Sequence, residues 1–119
     1  MIELKPGAGM VVVADVRSAF ASVDDALLSQ ARMIVSVLEA TQNANIPAGQ
    51  SQRLLRSMTD GMSSTVEGRA KICSALGEML EIKKNSNLAP VGYGCPVGWE
   101  DLKASAEPVE RKAPAKTLA

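Results

Sequence analysis

The chain contains no histidine, and among its 119 residues there is one Phe, one Tyr and one Trp. Without imidazole there is no ordinary Ser-His or Cys-His pair and no His-based zinc site, so the commonest routes to nucleophilic and metal-assisted catalysis are missing. Aromatics make up 3% of a sequence that is 46% apolar. Burial must therefore come from Ala, Val, Leu, Ile and Met, the side chains of helix-on-helix packing. Net charge is missing as well: 13 basic residues balance 13 acidic ones. No overall field draws in DNA or RNA, and nucleic acid is not an expected partner. Cysteine is reduced to Cys73 and Cys95, which make no disulfide framework and are expected to be free thiols. The apolar run near the start, Met10 to Ala14, is too short for a membrane span or the core of a signal peptide. A cytoplasmic protein without membrane association is the expectation.

What the sequence does have is heptad periodicity. Val13, Val16, Phe20, Val23, Leu27, Gln30, Ile34, Val37, Thr41 and Ala44 alternate three and four residues apart. So do Leu55, Met58, Met62, Thr65, Arg69, Ile72, Leu76, Met79 and Lys83. Between the two series lies Asn45-Ile46-Pro47-Ala48-Gly49, a breaker short enough to make the helices antiparallel neighbours. The fold expected is all-α: a long antiparallel two-helix hairpin, coiled-coil-like, that oligomerises into a four-helix or larger bundle. Its predicted boundaries are a flexible leader over 1–9, helix 1 over about 11–45, a turn at 46–50 and helix 2 over about 51–85. A Pro/Gly/aromatic turn segment follows over 86–103, then a disordered tail rich in Ala, Pro, Lys and Glu over 104–119. Val11-Val12-Val13 also suits a short strand, but the seam through Val13 and Val16 places it in helix 1. Gly7-Ala8-Gly9 lacks the Lys-Ser/Thr ending of a phosphate loop and reads as part of the leader.

Each seam carries one conspicuous polar interruption, Gln30 in the first helix and Arg69 in the second. Of the two registers that set a positions against d positions, one faces Arg69 with Val23, which leaves a guanidinium unpaired. The other sets Gln30 against Arg69 and Phe20 against Met79, and a shared polar layer of Gln30 and Arg69 is the expectation.

The positions just before each a residue are small or apolar throughout. They include Ala19, Ala26 and Met33 in the first helix and Gly61, Gly68 and Ala75 in the second. A glycine inside a helix costs about 1 kcal/mol relative to alanine. Something other than helix propensity selects Gly61 and Gly68, and close approach by a further helix is the simplest reason. These six residues are the candidate oligomer interface.

No catalytic, cofactor or metal site is expected. Asp24 and Asp25 are adjacent and project about 100° apart on a helix, so they form no carboxylate dyad. Glu78 and Glu81 read as an exposed face. The remaining feature is PVGYGCPVGW, residues 90–99, which repeats Pro-Val-Gly before an aromatic. Pro second and Gly fourth in Ala89–Gly92 and in Cys95–Gly98 fit type I turns. Each turn delivers an aromatic, Tyr93 or Trp99, as a candidate docking anchor, either within the chain or on a protein partner. The function these patterns imply is a non-enzymatic structural or interaction module, a homo-oligomer that offers its tail to a partner or assembly. The alternative is a small regulator binding nucleic acid, or another regulator, through Arg53, Arg56 and Lys71 of helix 2.

Overall fold

The computed structural model describes residues 1–94. The readings placed on Cys95, Trp99, the second Pro-Val-Gly turn and the 104–119 tail lie outside them. Among the described residues there are two helices and no strand: α1 (Ala8–Thr41) and α2 (Ala48–Lys84). Residues 10–14 are helical. Both helices begin and end earlier than the heptads alone suggest, and the connection has a local cause. Gln42 still donates to the Leu38 carbonyl, but Asn43 turns left-handed at φ 66° and Asn45 does so again at φ 56°. Asparagine tolerates that region and ends a helix there much as glycine does. Ala44 therefore falls outside the seam. Pro47 then opens α2, its carbonyl accepting from the Gln50 and Ser51 amides.

The chain divides into two compact units. One spans Ala14–Ala70 and is the antiparallel hairpin; the other joins Met1–Val13 to the described residues from Lys71 onward.

In the hairpin unit every predicted seam position of either helix is buried or half-buried, from Val16 through Thr41 and from Leu55 through Arg69. The periodicity is thus realised as packing. The register is not the one expected. Gln30 meets Thr65, its Nε2 donating to Thr65 Oγ1 at 3.0 Å, so d positions face d positions. That register lies midway between the two that set a against d. It gives each polar seam residue a polar partner, because Thr65 takes Gln30 while Arg69 reaches Asp24.

In the second unit the head is no loose leader. Ile2 donates to the Asn85 carbonyl and accepts from the Asn87 amide, forming an isolated parallel bridge to Ser86. The Asn87 side chain continues the pairing on Leu4. These bonds satisfy peptide groups that a free leader would leave to water. The helix end beside them is closed by Ser86, which is buried and fully bonded: its hydroxyl donates to the Lys83 carbonyl and accepts from the Leu88 amide. The first Pro-Val-Gly turn also closes one residue earlier than expected, with Val91 donating to the Leu88 carbonyl.

Candidate interaction surfaces

The polar residues of the hairpin seam come together as two pairs in place of one layer. Thr65 accepts from Gln30 and donates to the Gly61 carbonyl one turn back in α2. Gln30 Oε1 is buried without a partner, so this amide is only half satisfied, at a typical cost of about 1–3 kcal/mol. One turn further along α2, roughly 6 Å, Arg69 donates from Nε to Asp24 Oδ1 at 2.7 Å and lies 5.1 Å from the centre of the Phe20 ring. Its side chain is 39% exposed and that of Asp24 52%. Arg69 is therefore an edge residue that snorkels to a surface carboxylate over an aromatic face, and its charge stays in water.

Of the candidate oligomer residues in this unit, Ala19 is half-buried while Ala26, Met33, Gly61 and Gly68 are exposed. A methyl group placed on Gly61 or Gly68 would meet nothing within 4 Å. No packing among the described residues requires either glycine. In an antiparallel pair these positions of both helices line one flank, so small side chains and Met33 share a surface open to water. Ala75, in the other unit, is exposed as well.

Sequence reasoning missed a second apolar surface on α1. Leu28, Val35 and Leu38 are each about half exposed, as is Val66 on α2. At 100° per residue, Leu28, Ala31, Val35 and Leu38 fall within an arc of roughly 80°, on the opposite side of the seam from Met33. The signal is present in the sequence, at the positions that follow each a and d residue. Near the interhelix turn, Leu38 and Leu54 join Val37, Leu55 and Met58 around a hollow of about 30 Å³.

In the other unit Tyr93 is an internal anchor. Its ring lies on Gly9, where any Cβ would collide with it, and Lys83 Nζ sits 5.8 Å from the ring centre while donating to the Ala89 carbonyl. Gly9 is thus a seat for an aromatic, which explains a glycine in the first turns of a helix. The Tyr93 hydroxyl is buried and has no partner among the described residues, and the cation beside the ring contributes an attraction to its face. Sequence gave no sign that Gly9 and Tyr93 would meet, since 83 residues lie between them.

No family model, curated protein or solved structure matches this chain. Function has to be argued from these surfaces alone. Among the described residues no group of His, Cys, Asp and Glu side chains gathers in a way that would hold a metal ion, and no helix is long and apolar enough to cross a membrane. Cys73 is a half-buried free thiol.

Proposed function

We propose that this chain is a non-catalytic interaction protein, a helical hairpin that works as a homo-oligomer and offers its C-terminal segment to a protein partner or assembly. The observation that carries the reading is the apolar surface of the hairpin. Leu28, Met33, Val35, Leu38 and Val66 are 45–53% exposed, whereas Val16 and Met58 are the buried apolar side chains of the same unit. Two helices side by side cover one seam and leave both flanks in water, and apolar side chains gathered on such a flank, as Leu28, Val35 and Leu38 are, mark contact with another protein. The unfilled space at Gly61 and Gly68 supports the same reading, because it admits a backbone or side chain from a second copy.

Tyr93 belongs to the chain's own packing, so presentation to a partner falls to the segment beyond Gly94, with Trp99 as its aromatic anchor. Sedimentation equilibrium at micromolar concentration tests the oligomer: the expected mass is at least twice the 12.5 kDa of one chain. A well-folded monomer would overturn the reading. Met33→Glu and Leu38→Glu should each shift the oligomer toward monomer with helix content unchanged. Binding to DNA that falls steeply with salt, and that is lost with Arg53 and Arg56, would favour the regulatory alternative instead.

A further inference from the structure

The hydrogen bonds that hold residues 2–4 use the peptide groups of the head. Ile2 N–H donates to the Asn85 carbonyl at 3.2 Å and the Asn87 amide donates to the Ile2 carbonyl at 3.1 Å. Leu4 N–H donates to Asn87 Oδ1 at 2.7 Å, and Asn87 Nδ2 donates to the Leu4 carbonyl at 2.9 Å. The Asn87 side chain thus acts as one more peptide unit. It continues beyond residue 86 a ladder that the backbone of α2's end could not otherwise supply. A notch of this kind recognises an extended strand by its backbone, whichever chain the strand comes from.

The tether between this extended segment and α1 is short. Lys5, Pro6 and Gly7 form a turn closed by the Ala8 amide on the Lys5 carbonyl at 3.0 Å. Pro6 fixes one of its dihedrals and biases Lys5 toward extended backbone. Gly7 is exposed, with nothing described within 4 Å of a Cβ placed on it, and as glycine it has the widest choice of backbone angles at the hinge. A terminal segment read through its backbone and joined by so short a hinge can pass to a second copy and keep every notch contact.

We propose that the heads are exchanged in the oligomer, residues 2–4 of one copy lying in the Asn85–Asn87 notch of another. The inference rests on the oligomeric reading above. In a single chain the tether holds the head at an effective concentration of the order of millimolar beside its own notch, which keeps the clasp closed. Once the flanks join two copies, both notches are tethered to the head. The choice then depends on the hinge, which relaxes from a tight Pro-Gly turn to extended chain. With residues 2–4 seated in a notch, the Lys5–Gly7 tether to Ala8 spans roughly 14 Å when extended, so exchange requires a neighbouring notch within that reach of the start of α1.

The test uses the full chain without substitutions. Natural-abundance and 15N-labelled protein are mixed in equal amounts, unfolded, refolded together and treated with a lysine-reactive cross-linker that joins Lys5 to Lys84. Exchange predicts that about half of the Lys5–Lys84 linked peptides from the oligomer pair a light chain with a heavy one, as random assembly of exchanged copies requires. Light–light and heavy–heavy links alone, from a species that sediments as an oligomer, remove the exchange and leave the oligomer standing; a monomer removes both. Asn87→Ala guards against links made by mere proximity. It deletes the two side-chain bonds to Leu4 and should lower the yield of mixed links severalfold, and an unchanged yield overturns the proposal.

Discussion

The two units are drawn from the same pair of helices, yet their most buried residues differ in depth. Leu76, Leu88 and Ser86 in the unit that contains the head are more deeply buried than Val16 and Met58 in the hairpin unit. The heptad pattern runs through both, so periodicity is not the cause. The first unit has extra chain beside its helices: the extended segment of residues 2–4 on Asn85–Asn87, the turn through Leu88 and the Tyr93 ring. The hairpin unit has two helices and nothing else, and a helix pair can close only the seam between its members. Among the described residues the deepest burial therefore coincides with a third element, even though the same unit leaves Met10, Val11, Val12 and Ile82 exposed.

The sharpest way to break that comparison is to remove the same side chain in each unit. Leu76→Ala should destabilise the fold by about 2–5 kcal/mol, the range for a buried leucine in a packed site. Leu28→Ala or Leu38→Ala should change the stability of the isolated chain by no more than about 0.5 kcal/mol, as exposed sites do, while weakening self-association. Urea denaturation at concentrations below the association range measures the first effect, and sedimentation the second. Equal losses at Leu76 and Leu28 would mean that the two units are covered alike.

Glycine substitutions sharpen the contrast because their signs should differ. Gly9→Ala gains helix propensity but drives a methyl group into the Tyr93 ring, and overpacking of this kind should leave a net loss of about 1–3 kcal/mol. Gly61→Ala and Gly68→Ala meet open space and should each stabilise the single chain by up to about 1 kcal/mol. If a second copy approaches over those positions, the same two variants will associate less tightly than the parent. Thermal melts across a dilution series separate the two effects.

Gln30→Leu is expected to stabilise the hairpin by about 1 kcal/mol, since it removes a buried carbonyl with no donor and leaves the Thr65 hydroxyl bonded to Gly61. A loss of stability on chemical denaturation would show that the Gln30–Thr65 bond outweighs the unsatisfied oxygen.

What could be read in advance divides along the same line as the units. The all-α hairpin was legible because helix periodicity and the Asn-Ile-Pro breaker are local signals, and each seam residue of the hairpin unit reports its own face. The register was not legible from them. Successive seam residues stand on average three and a half apart, so sliding one helix by half a heptad still sets apolar against apolar. The choice then falls to a few polar partners, among them Asp24 and Thr65, whose roles depend on side-chain reach across the pair. Nor was the clasp legible, because the meetings of Ile2 with Ser86 and of Gly9 with Tyr93 join segments more than 80 residues apart in sequence and obey no period.

The smallest effect expected is at the ion pair itself, and its size tests whether Arg69 belongs to the core or to its edge. With side-chain exposures of 39% and 52%, the Arg69–Asp24 pair is well hydrated on both sides, and pairs of this kind contribute about 0.2–1 kcal/mol. Asp24→Ala should therefore cost less than about 1 kcal/mol at low salt. The difference from the parent should shrink toward zero at 1 M salt, where the screening length falls to about 3 Å. Arg69→Met in the same background should cost more than Asp24→Ala, because it also removes the cation over the Phe20 ring, an attraction of about 0.5–1 kcal/mol at an exposed site that does not need the carboxylate. A loss of several kcal/mol for Asp24→Ala, insensitive to salt, would place Arg69 in a desolvated layer where an unpaired charge is costly, and the seam would then be closed at this height by more than the two helices of one chain.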